Sequence, residues 1–195
     1  MQIRIGPRAA GPSRPSARFL AGQFAVGFSL TELLVSIAII ALLAGIMLGV
    51  VARTRVAAQS VNCVSRLHHI GTAFTQYAAD NDGFLPDPGE LQQSWEKCLR
   101  GYLSDSSAYQ CPADEEVFPV VGSSYDWRDT GVAATTLAGR PLVDVNRGGV
   151  VLAFESLPGW HARHKMNAAF LDGSARTMTD EACLSDLQSP IRGRR

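Results

Sequence analysis

The 195-residue chain is long enough for one domain and an appendage, and too short for two full domains. Its 18 basic and 18 acidic side chains cancel, but Arg4, Arg8, Arg14 and Arg18 lie in residues 1–27, which hold no acid; the remainder carries 14 basic and 18 acidic groups, a net of −4. An acidic remainder argues against a nucleic-acid-binding body, which needs a basic face, and the 46% apolar content suits a folded chain rather than a disordered one.

Residues 1–27 are rich in Arg, Pro, Gly, Ala and Ser, and Pro7, Pro12 and Pro15 forbid a continuous helix. This stretch reads as a cytoplasmic leader. From Leu33 to Val51 run 19 residues without charge, with Ser36 the one clearly polar side chain. Such a helix is about 28 Å long, close to the apolar thickness of a bilayer. No polar stripe interrupts it, so it is apolar on all sides. Arginines ahead of it place the N-terminus in the cytoplasm.

Beyond Val51 the pattern becomes one-sided, with Val61, Val64, Leu67, Ile70 or Gly71, Phe74 and Tyr77 at three- and four-residue intervals. No proline falls between Pro15 and Pro86, so the spacing predicts one helix from about Leu30 to Ala79, roughly 75 Å long. Asp80-Asn81-Asp82-Gly83 stops it, with Gly83 able to take the left-handed conformation and Pro86 preventing resumption. The same residues resemble the start of a calcium loop, but Phe84 stands at a ligand position and the glycine comes early.

A short helix is expected over residues 91–103, with Leu91, Trp95, Leu99 and Tyr102 on one side. Turn residues dominate afterwards, with β-prone pieces at Val117–Val121, Gly131–Leu137 and Leu142–Val145. Gly149–Glu155 reads as an apolar strand, and Asn167–Leu171 and Ser174–Thr179 as a hairpin about Asp172-Gly173. The end, Ile191–Arg195, is basic.

Glu32 stands at the head of the apolar helix, where an unpaired carboxylate at depth costs roughly 2.5–3.5 kcal/mol. A cut between Gly27 and Phe28 would supply a partner: the new α-amino group, four residues ahead of Glu32 and available to a neighbouring copy. Glu32 also suits the positive end of its own helix. Gly45 and Gly49 form a small-xxx-small spacing that would let helices approach, or arise by chance.

The string G-F-S-L-T-E-L-L-V-S-I-A-I-I-A-L-L-A from Gly27 resembles the N-terminus of type IV prepilins and type II secretion pseudopilins. That resemblance implies cleavage after Gly27 by a prepilin peptidase, N-methylation of Phe28, and an assembly role for Glu32. Cys63–Pro86, Gly101-Tyr102-Leu103, Cys111-Pro112-Ala113-Asp114, and Arg163-His164 followed by Asn167 to Gly173 are similar to a pseudopilin-like subfamily abundant in planctomycetes, with a terminal His…Phe-x-Asp-Gly signature. Ser174 stands where that subfamily commonly has histidine.

Four cysteines are present, none in a C-x-x-C pair. Cys98 and Cys111 are a candidate disulfide whose 12-residue loop would stabilise by about 3 kcal/mol, or they are two buried thiols. For Cys63, core packing and pairing with Cys183 are both open. His161, His164 and Asp172, with Glu155 near in sequence, could suggest a metal or acid–base site, but no two share a tight ligand spacing and no third is fixed. They read as turn residues. Adjacent His68 and His69 point about 100° apart on a helix and read as surface groups. No nucleophile motif occurs. No catalytic residue, metal or cofactor is assigned.

The expected fold is α+β, pilin-like: a long N-terminal helix, half embedded, whose second half lies across a small antiparallel sheet. The organisation is a cleaved leader (1–27), a transmembrane or filament-core helix (28–52), its amphipathic continuation (53–85), a globular head (86–185) and a flexible basic tail (186–195). The expected role is structural: a filament subunit of the inner membrane, its body extracytoplasmic, with a prepilin peptidase, other pilin or pseudopilin subunits, an inner-membrane assembly platform and membrane lipid as partners, and no nucleic acid. The competing class is a single-pass membrane-anchored extracytoplasmic binding protein that does not polymerise. Glu32 discriminates, since a plain anchor has no use for it. A third class is a metal-dependent periplasmic enzyme using His161, His164 and Asp172.

Overall fold

A computed structural model describes residues 29–103, 105–146, 149–191 and 193. The leader, with Gly27 and Phe28, lies outside the described residues, as do three of the four arginine and glycine positions flanking the chain end, 192, 194 and 195. The chain divides between Ala44 and Gly45 into two units. The fold is α+β: a long N-terminal helix and a four-stranded antiparallel sheet.

Helix α1 spans Leu30–Asp80. Its first turn forms on the Ser29 carbonyl, which accepts from the amides of Glu32 and Leu33. In the first unit, Leu33, Leu34, Ile37, Ile40 and Leu43 are each more than half exposed, and so are Ile46, Met47, Leu48, Val50 and Val51 in the second. The stretch is long and apolar enough to cross a membrane once. Ser36 does not interrupt it, because its hydroxyl donates to the Glu32 carbonyl at 2.7 Å.

In the second unit α1 turns one-sided. The buried stripe is Cys63, Leu67, Ile70, Gly71, Ala73, Phe74 and Ala78. This corrects the expected stripe at its ends, as Val61 is exposed and Tyr77 only half-buried. Small residues mark the face because the helix sits close on the sheet: a Cβ on Gly71 would meet the Ala169 Cβ at 3.6 Å. The helix ends as its sequence implies. Gly83 takes φ +84°, and its amide returns to the Ala78 carbonyl at 2.7 Å.

The expected helix over 91–103 is instead two single turns, α2 (Pro88–Leu91) and α3 (Trp95–Cys98). Asp87 caps α2, and Gln92 leaves it in the left-handed region at φ +52°, which breaks the run. Trp95 and Leu99 are buried as anticipated; Leu91 is exposed. Phe74 stacks between Trp95 and Trp127, and Trp95 meets Tyr109 edge-on, so aromatic packing holds these turns to α1. The β-prone piece Val117–Val121 forms a helical turn, α4 (Phe118–Val121), because Asp114 accepts from the amides of Glu116, Val117 and Phe118. Gly131–Leu137 forms turns, and Leu142–Asp144 a 3-10 turn.

The sheet is a meander, β1 (Tyr125–Trp127), β2 (Val151–Glu155), β3 (Lys165–Phe170) and β4 (Ala175–Thr179), in that order. The β3–β4 hairpin turns at Asp172-Gly173 as expected: Gly173 takes φ +88°, and Asp172 accepts from the Ser174 amide and hydroxyl. One face packs under α1. The other holds Val151, Met166, Ala168 and Phe170 against Cys183 of helix α5 (Asp180–Gln188). A register shift between Val151 and Ala153 puts both Leu152 and Ala153 in the α1-side core. Helix α5 extends past the expected head boundary at 185. After α5, the Ile191 amide bonds the Ala134 carbonyl and Gly193 bridges Val145. Buried Arg128 closes this corner, reaching Asp186 at 2.5 Å and the carbonyls of Thr135, Asp186 and Ser189.

Candidate functional site

The assembly segment is carried by α1 alone. Glu32 lies in its first turn, where the unpaired amides favour an anion. Its expected partner, the amino group of a chain beginning at Phe28, and the cleavage position at Gly27 fall outside the described residues. Gly45 faces open space: a Cβ there would meet nothing within 4 Å.

A second site was not assembled by sequence reasoning. Four side chains from four segments converge beneath α1: Cys63 on α1, Cys111 after the 3-10 turn Ser106–Tyr109, Glu155 at the end of β2, and His161 in the loop leading to β3. Their ligand-type atoms lie within 4.8 Å of one another. Cys63 and Cys111 form a disulfide, with Cα atoms 5.5 Å apart. This corrects the expected partner of Cys111. Cys98 is a free, half-buried thiol and Cys183 a free, buried one. Cys63 pairs because it belongs to the sheet-facing stripe of α1, whereas Cys98 closes a single turn elsewhere and Cys183 lies on the opposite face of the sheet. Burial pushes the Cys98 thiol up and the Cys183 thiol up to about 12, so neither is a ready nucleophile.

Glu155 is 1% exposed. It is fully engaged: Asn167 donates its backbone amide to Oε2 and its side-chain Nδ2 to Oε1, both at 2.8 Å, and His161 Nε2 stands 3.0 Å from Oε1. The same Nε2 lies 3.3 Å from the Cys111 sulfur. The Thr177 hydroxyl fixes Asn167 by donating to Oδ1 at 2.6 Å. Tyr125, paired with Glu155 across β1 and β2, is pushed well above the ordinary phenol range by burial and by that carboxylate. Among the described residues, the Tyr125 hydroxyl and His161 Nδ1 are the buried side-chain polar atoms without a hydrogen-bond partner.

The Cys111 backbone is held by the Ser124 hydroxyl, which accepts its amide at 2.8 Å and donates to Asp114 at 2.6 Å. Burial would raise the Asp114 carboxyl, but the Ser124 hydroxyl and three amides outweigh it and hold it below its ordinary value. A cavity of about 400 Å³, lined in part by Ser60, His161, Lys165, Asn167 and Thr177, reaches the imidazole.

Of the sequence candidates, Glu155 and His161 come together. His164 and Asp172 do not join them. Exposed His164 approaches Asp180 at 3.3 Å, and Asp172 serves the hairpin turn, its carboxyl held low by the Ser174 hydroxyl and amide. His68 is a surface group as expected, but it also fastens that turn to α1 through the Gly173 carbonyl at 2.9 Å.

The chain matches no protein-family model, no curated protein and no solved structure.

Proposed function

We propose that this chain is a structural subunit of a type IV pilus-like or type II secretion pseudopilus filament, cut after Gly27 and N-methylated on Phe28 by a prepilin peptidase. One observation carries the reading: the first part of α1 is apolar and exposed on all sides, yet opens on a carboxylate, Glu32, in its first turn. Such a surface needs lipid before assembly and copies of itself afterwards. In a bundle of these helices, Glu32 neutralises the Phe28 ammonium of a neighbour, and open space at Gly45 admits close approach. The four-stranded sheet with the second part of α1 lying across one face supports the reading as an α+β body. In this reading the N-terminus is cytoplasmic and the body extracytoplasmic. An inner-membrane platform draws the subunit from the membrane, and the protein performs no catalysis.

The test has two arms. Peptide mass spectra of membrane fractions should show a chain beginning at methylated Phe28; a chain retaining residues 1–27, or cut after Ala52 or Ala58, overturns the reading. Glu32→Ala should leave cleavage and membrane level unchanged but sharply lower the ratio of sheared filament to membrane-bound subunit. Loss of one partner of a buried pair costs about 3–5 kcal/mol at every contact. An unchanged ratio would favour a membrane-anchored protein that does not polymerise.

A further inference from the structure

A disulfide needs nothing of its surroundings beyond two well-placed sulfurs. The Cys63–Cys111 bridge is instead surrounded by groups that are costly to bury. Glu155 is essentially inaccessible, the His161 side chain is 5% exposed, and both lie against the sulfurs. Burying a carboxylate and an imidazole together costs several kcal/mol; Asn167 and His161 offset that for Glu155, while His161 Nδ1 is left without a partner. The four side chains offer two sulfurs, one imidazole nitrogen and one carboxylate oxygen, the donor set that suits Zn²⁺ and not the all-oxygen preference of Ca²⁺ or Mg²⁺.

The spacing also fits. Bond lengths of about 2.3 Å to sulfur and about 2.0–2.2 Å to nitrogen and oxygen place the ligand atoms of a tetrahedral zinc site about 3.3–3.8 Å apart. Here His161 Nε2 is 3.0 Å from Glu155 Oε1 and 3.3 Å from the Cys111 sulfur, and the whole set lies within 4.8 Å. The two sulfurs are bonded to each other here, so the bridge must open and the sulfurs part before an ion can sit among the four groups. Support is in place for two of the ligands, Glu155 and Cys111, while His161 Nδ1 has no hydrogen-bond partner. Asn167 holds both oxygens of Glu155, Ser124 holds the Cys111 amide, and Nε2 is the nitrogen that meets Glu155 and the Cys111 sulfur. The cavity at His161 gives an approach.

We propose that Cys63, Cys111, Glu155 and His161 form a binding site for one Zn²⁺-class ion when the two cysteines are reduced, the disulfide being the metal-free state of the same site. Opening the bridge takes two electrons and two protons from a dithiol: its thiolate attacks one sulfur, its second thiol resolves the mixed disulfide, and the dithiol leaves as a cyclic disulfide. Metal entry then releases the two cysteine protons to solvent, leaving two thiolates, a carboxylate and a neutral imidazole around the ion. Oxidation of the thiolates by a disulfide-class oxidant forms the bridge and expels the ion.

The test uses the full-length protein in non-ionic detergent, reduced with dithiothreitol, desalted anaerobically and titrated with Zn²⁺ and, separately, Co²⁺. The expected result is one equivalent of zinc per chain by elemental analysis, and a Co²⁺ spectrum with tetrahedral d–d bands and thiolate charge transfer. The diamide-oxidised protein should show neither. Glu155→Gln and His161→Gln should each weaken binding by at least about tenfold with helical circular dichroism retained, whereas Cys98→Ser and Cys183→Ser should not. If the reduced chain loses its fold, zinc should restore it. A reduced, folded chain that binds no zinc overturns the proposal, as does a Co²⁺ spectrum without thiolate bands, affinity unchanged in both His161 and Glu155 variants, or a reduced chain that zinc fails to refold.

Discussion

Replacing Cys63 and Cys111 together by alanine removes the bridge without leaving a lone thiol beside His161. The cysteines are 48 residues apart in sequence. In the chain-entropy model, a loop of that length gives about 4 kcal/mol of stabilisation by restricting the unfolded chain. For a domain with a urea dependence of about 2 kcal/mol per molar, the double variant should unfold at a urea concentration about 2 M lower. The comparison is made in detergent with chelator present, so that metal does not offset the loss. Cys98→Ser should change the unfolding free energy by no more than about 0.5 kcal/mol, since that thiol is half-buried and unbridged. A non-reducing peptide map should show Cys63 joined to Cys111. A map joining Cys98 to Cys111, or a Cys98→Ser loss as large as that of the double variant, would refute the assignment.

Gly71→Ala should stabilise by about 0.5–1 kcal/mol, because the added Cβ meets Ala169 at an ordinary 3.6 Å while helix propensity improves; Gly71→Leu should destabilise by about 1–3 kcal/mol by forcing α1 off the sheet. Arg128→Ala should cost about 3 kcal/mol in urea unfolding, since it leaves the Asp186 carboxylate without its cation and the Thr135 and Ser189 carbonyls without this donor, and Arg128→Lys should recover only part because an ammonium cannot fork to all of them. Asp114 has a depressed folded-state pKa, so its contribution is present above the ordinary carboxylate range near pH 4 and is lost as pH falls through the folded value. Asp114→Asn should lower stability at neutral pH by about 1.5–3 kcal/mol and flatten the acid limb of the stability–pH curve; an unchanged acid limb would place the acid sensitivity elsewhere.

Elements whose cause is local were legible in the sequence. Helix α1 follows from an uninterrupted apolar run, a one-sided continuation and a left-handed stop at Gly83, each set by residues near one another in sequence. The β3–β4 hairpin follows from Asp172-Gly173. Where a distant or competing group decides, propensity misleads. Phe118-Pro119-Val120-Val121 is β-prone, yet the buried Asp114 carboxylate collects the amides of Glu116, Val117 and Phe118 and sets a helical turn. Residues 91–103 have helical spacing, but Asp87 capping and left-handed Gln92 break them into two turns. Helix α5 buries little beyond Cys183 and so shows a weak apolar face. Its cap was nevertheless readable: Thr179, whose hydroxyl accepts the Ala182 amide, is followed by Asp180 and Glu181 in the first turn.

The buried cluster lay beyond sequence reading for a different reason. Its members are spread from residue 63 to 161, and their grouping is created by three packing events: α1 settling on the sheet, the segment before Cys111 docking through Tyr109 and Trp95, and the β2–β3 loop folding back so that His161 meets Glu155. Ligand spacing rules detect sites built on one helix or one knuckle, where neighbours in sequence are neighbours in space. Here the usable signal was periodicity. Cys63 stands four residues before Leu67 and seven before Ile70, inside the sheet-facing stripe, so its sulfur had to point at the core. A core cysteine on α1 can be bridged only by a cysteine reaching that same face. Cys98, beside the surface turn of α3, and Cys183, under the far face of the sheet, both fail that condition. Cys111 meets it, since the Ser124 hydroxyl fixes its backbone next to β1 and directly beneath the helix. The polar company of the pair follows from the same geometry, because β2 and β3 present Glu155 and Asn167 to that face by alternation.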